Sequence, residues 1–439
     1  MVKVAKFGGS SVAGAGQFKK VKAVIEADPS RRVVVISAAG KRSADDHKLT
    51  DLLYLCHAHL TYGVSCADIL HTIEERFAEI KRELGLGLDL EGELERLEKS
   101  LSKDIPADEL VSRGEYLTAR LMADYLGFSF VDAKDCVFFS YDGQIDKEKT
   151  YAAIRAAYET GGRIVIPGFY GTLPNGKIKV MTRGGSDVTG ALAAAAVDAE
   201  VYENWTDVSG ILMADPRIVP DPQPIERITF AELRELAFMG ASVLHEESVL
   251  PVKEQGIALN IRNTNCPEHP GTMIVDRIEP EERDERFLTG IAGRKNFSIL
   301  TVNKRNMNAS QSLRQVLEIL DRYNAKVEHI TLGLDSFGLV VSTAALGDSL
   351  YPLMGEVEKI CRPDNIDIHE GIALVAAVGR KMTCRPGISG KIFRALGEKG
   401  INIRTIAQGA DELSIIVGVE NSDYEAAVQV LYSSFAGKK

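Results

Sequence analysis

The stretch Thr182-Arg183-Gly184-Gly185-Ser186-Asp187, followed at once by an alanine-rich helix-forming run, decides how this chain is to be read. Two adjacent glycines let a backbone approach a ligand closely, and the helix behind them turns free N–H groups toward an anion. Arg183 can grip a carboxylate at two points, while Asp187 can hold a metal or orient a charged partner. A second pair, in Lys6-Phe7-Gly8-Gly9-Ser10-Ser11, sits between an expected first strand, Val2 to Phe7, and a helix. Each pair alone reads as an ordinary turn. Together they imply one anionic pocket built from two turns that lead into helices, as an enzyme handling phosphates requires.

Outward from these turns, short β-branched runs alternate with helical patterns up to the charged run 278–285. Val33 to Ser37 and Arg163 to Ile166 read as buried strands. Phe18, Val21 and Ile25 mark one helix face; Leu117, Leu121 and Tyr125 mark another. Such alternation predicts an α/β architecture, a mostly parallel sheet sandwiched by helices. The segment 68–102 reads as helical excursions on the surface, and 171–176 as the turn of a hairpin. The charged run is the expected domain boundary.

Beyond that boundary the pattern repeats. One βαββαβ unit is expected from strand 298–302, helix 312–323, strands 326–332 and 337–342, helix 350–361 and strand 366–370. A second follows as 372–378, 390–399, 402–407, 413–419 and a helix from Asp423. Both are ferredoxin-like. The second reaches residue 439 without a final strand, and the spare segment 287–292 is expected to complete its sheet, so that the first unit is inserted within the second.

Composition narrows the function. The 439 residues are 45% hydrophobic and 26% charged, a globular profile for two or three domains, and the net charge of −10 gives no basic footprint for nucleic acid. No apolar run approaches the ~20 residues of a membrane span, so no membrane partner is expected. Cys56, Cys66, Cys136, Cys266, Cys361 and Cys384 form no C-x-x-C pair. A reducing cytoplasm fits better than a disulfide framework or a zinc site.

The motifs Lys6-Phe-Gly-Gly-Ser-Ser-Val12, Ser112-Arg-Gly-Glu115, Thr182 to Asp187, Trp205-Thr-Asp-Val208, Asp215-Pro-Arg217 and Gly240-Ala-Ser-Val-Leu-His245 occur in one order along the chain. With the two C-terminal modules, they resemble the aspartokinases of the amino-acid kinase superfamily over essentially the whole length. The resemblance implies an amino-acid kinase fold over 1–277, a strand at 286–293 serving the second ACT module, and ACT modules at 296–370 and 371–439. It implies phosphorylation of the side-chain carboxylate of L-aspartate by ATP with magnesium, giving 4-phospho-L-aspartate on the route to lysine, threonine and methionine.

Phosphoryl transfer is mainly positioning plus charge neutralisation. Lys6 leaves the first strand where a cation can meet the β- and γ-phosphates, beside Phe7 and the N–H groups of Gly8, Gly9 and Ser10. The resemblance makes Lys6 and Asp187 the catalytic pair. Asp187 is expected to organise Lys6 and the phosphates, because a carboxylate nucleophile is already ionised at neutral pH and needs no general base. Arg183 is the candidate for a substrate carboxylate. By resemblance Glu115 faces the substrate ammonium, and Thr50, Phe169 and Ser186 make further contacts. Plainer alternatives stay open: Glu115 as a dipole-favoured residue at a helix start, Thr50 as an N-cap, Lys6 as a solvated strand end.

For the nucleotide, the resemblance points to Thr206, Asp207, Leu212 and Arg217. Leu212 stands where relatives often carry tyrosine, and Ser242 where they often carry lysine, which implies one positive charge fewer near the phosphates. His245, followed by Glu246 where proline is common, reads as structural, and Trp205 as core packing. An effector site is expected at the first module, from the loop residues Met307, Asn308 and Ser310 with Val327, Glu328, Asp335 and Ser336. The resemblance implies lysine there. Sheet edges and faces of the modules need covering, so a homo-oligomer, dimer or tetramer, formed through them is expected. Two rival readings are a glutamate 5-kinase type, which lacks such modules, and an inactive amino-acid sensor, against which Lys6, Arg183, Ser186 and Asp187 all stand.

Overall fold

In the computed structural model the described residues are 1–182, 184–241, 244, 246–278, 287–305, 309–380, 382 and 386–436. The chain forms two compact units, one from 1–211, 226–230 and 243–281, the other from 212–225, 231–242 and 282–439.

The first unit is built on an eight-stranded sheet with the spatial order Arg227–Thr229, Thr272–Val275, Ala258–Asn263, Val201–Thr206, Lys3–Phe7, Arg31–Ile36, Ile164–Pro167, Ser129–Phe130. Every neighbouring pair is parallel except Ala258–Asn263 with Thr272–Val275. Val4, Phe7, Val33 to Ile36 and Ile164 to Ile166 have no exposure at all, because a parallel sheet is covered on both faces. Phe18, Val21, Ile25, Leu117 and Leu121 join one hydrophobic core with strand residues Ala5, Val34 and Ile36. The alanine-rich helix Gly185–Ala196 packs on the central strand, with Ala191 to Ala194 fully buried. Small side chains let its backbone come close.

The chain leaves the central strand Lys3–Phe7 toward Arg31–Ile36 on one side and later returns to Val201–Thr206 on the other. Where strand order reverses in this way, a crevice opens beyond the carboxyl ends of the strands. Lys6-Phe7-Gly8 and Thr206-Asp207 stand at those ends.

One expectation for this unit changes. Helices Ala67–Leu84 and Leu90–Ser100 are not mere surface excursions: Leu70, Ile73, Phe77, Ile80, Leu90 and Leu97 are buried in the same core. Their glutamates and lysines had masked an apolar stripe at helical spacing. Segments 212–225 and 231–242 fall inside the expected 1–277 yet belong to the second unit. Ala214 and Val219 pack there with Leu288 and Val428, and the Ile291 N–H donates to the Met213 carbonyl at 2.7 Å. The hairpin is present, Tyr170–Thr172 pairing with Ile178–Val180.

The second unit holds one antiparallel six-stranded sheet in the order Val327–Leu332, Ser336–Ser342, Gly290–Asn303, Asn365–Val378, Ser414–Glu420, Thr405–Gln408. The sequence pattern broke its middle into four short strands; the structure has two of 14 residues each, paired from Gly290↔Val378 to Asn303↔Asn365. Asn296 (φ 69°) and Gly371 (φ 75°) punctuate the two strands midway, which is why each reads as two. Helices Ala309–Arg322 and Leu350–Cys361 contribute to one core, Ile388–Glu398 and Tyr424–Phe435 to another. Among the described residues no helix is long and apolar enough to cross a membrane.

A buried charge cluster ties the first sheet together. The Arg31 guanidinium donates to both Glu203 oxygens, at 2.6 and 3.1 Å, and the Trp205 indole N–H donates to Glu203 at 3.0 Å. Arg31 and Arg262 lie over the Trp205 ring, which stacks on Phe7. Glu203→Ala, which leaves the buried Arg31 guanidinium without its carboxylate, is expected to destabilise the fold by about 3–5 kcal/mol, read from urea unfolding; a loss below about 1 kcal/mol would show that the cluster contributes no stability.

Candidate active site

The site begins at the carboxyl end of the central strand. Lys6 is buried, and its ammonium sits 2.6 Å from Asp187 Oδ1, in the first turn of helix Gly185–Ala196. Gly184 caps that helix with φ 72°, a left-handed turn that suits glycine. Asp187 is held from the neighbouring strand as well. Asn204 Nδ2 donates to its Oδ1 at 2.9 Å, and the Tyr202 hydroxyl to its backbone carbonyl at 3.1 Å. Neither Tyr202 nor Asn204 was singled out from sequence. The only available signal was alternation within Val201–Thr206, which puts both on one face.

Three loops meet beside this pair. Gly40 N–H donates to the Gly9 carbonyl at 2.9 Å, and Gly168 N–H to the Ile36 carbonyl at 2.9 Å. The approach of the first two is so close that a Cβ on Gly40 would stand 2.6 Å from the Gly9 carbonyl carbon. One expectation is corrected here. The Gly8 N–H is not available to a ligand, because it donates to the Trp205 carbonyl at 3.0 Å. Gly9 and Ser10 open the 3-10 turn Gly9–Val12, so their N–H groups have no partner within it.

The second part of the site is Glu115, 4% exposed in the first turn of helix Arg113–Leu126. Burial pushes its carboxyl up to about 8, against the pull of its own backbone N–H and that of Ala38. Its Oε2 has no hydrogen-bond partner. A helix dipole explains a glutamate in a first turn, but not one sealed from water with an oxygen left over. Ala38 belongs to the loop that meets Gly9, so Glu115 and the Lys6-Phe7-Gly8-Gly9 turn touch the same loop.

The other expected residues are placed as follows. Thr50 is the second residue of helix Leu49–Thr61, whose N-cap is Lys48, so the N-cap alternative is withdrawn. Leu49 N–H donates to the Ala39 carbonyl, which ties this helix start to the same loop. Phe169 has φ 78°, strained for a bulky residue, and its N–H donates to Thr189 Oγ1 at 3.2 Å. Ser186 is half-buried beside Asp187. Thr206 ends its strand and donates to the exposed Asp207 at 3.1 Å. Trp205 is 1% exposed and is core packing, as read. Leu212 and Arg217 lie in the second unit, where Arg217 donates to both Asp215 oxygens. Arg183, Ser242, His245, Met307 and Asn308 lie outside the described residues.

The remaining effector candidates do not converge. Asp335 and Ser336 stand at the turn of the hairpin formed by Val327–Leu332 and Ser336–Ser342, with the Lys304 N–H donating to the Asp335 carbonyl. Val327 and Glu328 are at the opposite end, Val327 facing Val341, and Glu328 is paired with Arg294 at 3.2 Å. Ser310 is exposed, in helix Ala309–Arg322.

The Glu115 carboxyl has a consequence for stability. It stays protonated in the fold up to about 8, whereas in the unfolded chain it ionises near its ordinary 4.5. The unfolded state binds fewer protons between those values, so this group lowers stability as pH rises through that window. Glu115→Gln should therefore gain stability relative to the parent from pH 4.5 to 8, measured by denaturant titration at several pH values. A constant difference across the window would contradict the raised value.

Comparison with known proteins places these features. The amino acid kinase family model matches residues 1–263, and an ACT domain model matches 375–435. Aspartokinase 3 of Bacillus subtilis is 31% identical, over 99% of this chain and 98% of its own length. The crystal structure of Clostridium acetobutylicum aspartate kinase superposes with a TM-score of 0.92 at 44% identity, covering 99% of both chains. E. coli aspartokinase III, solved in complex with aspartate and ADP and again with lysine and aspartate, is 28% identical with a TM-score of 0.75, covering 99% of both chains. The sheet with its paired Lys6 and Asp187, and the modules that follow, thus belong to a chain of the amino acid kinase family, and within it to the aspartokinases.

Proposed function

We propose that the chain transfers the γ-phosphoryl group of ATP to the side-chain carboxylate of L-aspartate, giving 4-phospho-L-aspartate. The observation that carries this reading is the sealed Glu115 carboxyl with an unpartnered oxygen, on the same loop that meets the turn carrying Lys6, itself paired with Asp187. One end lacks a cation, which an amino-acid ammonium supplies; the other offers a cation to phosphate oxygens. The aspartate and ADP bound by the E. coli relative support the same pair of substrates.

In this reading ATP enters as its magnesium complex, the cation being part of the substrate. The N–H groups of Gly9 and Ser10 and the Lys6 ammonium meet the phosphates, with Thr206 and Asp207 toward the nucleoside. Arg183, Thr50, Phe169 and Ser186 hold aspartate, whose β-carboxylate attacks the γ-phosphorus in line while ADP departs. Lys6 neutralises charge on the transferred group, and Asp187 keeps the lysine aimed. Leu212 and Arg217 are assigned to the nucleotide, the Arg217 guanidinium being shared with Asp215. The product is the activated carboxylate from which lysine, threonine and methionine are made, and a cytoplasmic setting suits the free thiols of Cys56, Cys66, Cys136, Cys266 and Cys361.

The same reading assigns effector binding to the second unit and lysine as the effector, supported by the lysine complex of the E. coli relative. Of the two carboxylates offered, Asp335 is favoured, because its backbone carbonyl takes the N–H of Lys304, close in the chain to the candidates Met307, Asn308 and Ser310. Lysine inhibits only if it binds the less active state more tightly. A homo-oligomer through this unit is also proposed. The edge strand Val327–Leu332 leaves Ile330 and Leu332 exposed, a liability that pairing with a second copy removes.

Two experiments test these assignments. In an ATP-dependent hydroxamate assay offering aspartate, glutamate and acetylglutamate, only aspartate should react. Lys6→Ala and Asp187→Ala should each lower turnover by roughly a hundredfold or more. Parent-like turnover of either variant would remove that residue from the reaction. In calorimetry, lysine but not threonine should give heat, and Asp335→Ala should abolish it while Glu328→Ala retains it. Threonine binding, or the reverse pattern of variants, would overturn the effector assignment.

A further inference from the structure

We infer that Asn204 is a positioning residue for phosphoryl transfer, its side-chain amide holding the Asp187 carboxylate in register with Lys6. The inference rests on the assignment of Lys6 and Asp187 to the reaction. Asn204 faces Lys6 directly across the parallel pairing of Val201–Thr206 with Lys3–Phe7, and it is 3% exposed. Residues opposite each other in a sheet project from the same face, so the amide and the ammonium emerge together.

The geometry closes a ring of three side chains. Asn204 Nδ2 is 2.9 Å from Asp187 Oδ1, the oxygen that also takes the Lys6 ammonium at 2.6 Å, and Asn204 Oδ1 is 3.5 Å from Lys6 Nζ. The chemistry fixes which way the amide points. A carboxylate only accepts and an ammonium only donates, so the NH2 must face Asp187 and the oxygen must face Lys6. One neutral group thereby serves both charges without competing with either. The contact to Lys6 is the longest of the three, which leaves that lysine freest to turn toward a phosphate oxygen while Asp187 stays fixed.

The same strand reaches Asp187 twice. Tyr202, two residues before Asn204 and on the same face, donates to the Asp187 backbone carbonyl at 3.1 Å. Tyr202 fixes where the helix turn lies, and Asn204 fixes the torsion of the carboxylate at its tip. An alkyl side chain at 204 would leave Asp187 free to rotate with Lys6 as its one strong partner. The lysine would then be held less well for charge that develops only during transfer, so the loss should appear in kcat rather than in aspartate binding.

The test is a mutant cycle on the full chain, with kcat and the KM for aspartate measured in the hydroxamate assay. Asn204→Leu should lower kcat about tenfold or more and leave the KM within about twofold, as expected for one hydrogen bond to a charged group. In the Asp187→Ala background the same substitution should cost less than about twofold further, since residues that act as a unit are not additive. Asn204→Ala, which only removes atoms, runs through the same cycle if the leucine variant does not fold. Unchanged kcat, or an equal loss in both backgrounds, would overturn the positioning role, the latter by showing a general structural effect. Parent-like turnover of Asp187→Ala would instead overturn the reading of the reaction on which the inference stands.

Discussion

The arrangement of the first unit depends on two backbones touching. Gly9 and Gly40 come together with no room for a methyl group between them. That contact carries the loop after Arg31–Ile36 onto the loop after Lys3–Phe7, and with it Ala38, whose N–H reaches Glu115, and Ala39, whose carbonyl receives the start of the Thr50 helix. The Lys6 end and the Glu115 end of the site are therefore set by the same pair of glycines. A wider separation would uncouple them even if every polar side chain were retained.

Three carboxylates in this unit, two buried and one half-buried, show how surroundings sort charge by partner. Glu203 meets guanidinium and indole donors and is a structural anchor within the sheet. Asp187 meets an ammonium and an amide and is the one proposed for the chemistry. Glu115 meets only two backbone N–H groups, so desolvation dominates and it rests protonated at neutral pH. The differing outcomes come from neighbours brought by other strands and helices, and residue type alone distinguishes none of them.

That contrast marks what could be read from the sequence. The parallel sheet, the helices of Phe18 and Leu117, the hairpin after Tyr170 and both glycine turns were visible, because each rests on local periodicity or turn chemistry. Lys6 and Asp187 were visible as motif members, though their pairing is a fact of tertiary structure. Asn204 and Tyr202 were not, since their roles come from strand register, and register is set by neighbours far along the chain. Gly8 was misjudged for the same reason: its N–H is consumed by Trp205 on an adjacent strand. The apolar stripe of 67–100 was hidden by charged residues that dominate its composition, and the long strands of the second unit by residues of positive φ at their midpoints.

Those long strands bear on how the second unit can be divided. Gly290–Asn303 and Asn365–Val378 each serve both cores, the first half of one pairing with the second half of the other. One module runs unbroken from the second half of the first long strand to the first half of the other, and it sits inside the second module, whose pieces lie on either side of it: severing the chain between 303 and 365 opens the inner module, and removing 290–294 strips an edge from the outer one. The two modules are thus woven, with a shared warp of two strands, and must be gained, lost or rearranged as one cloth.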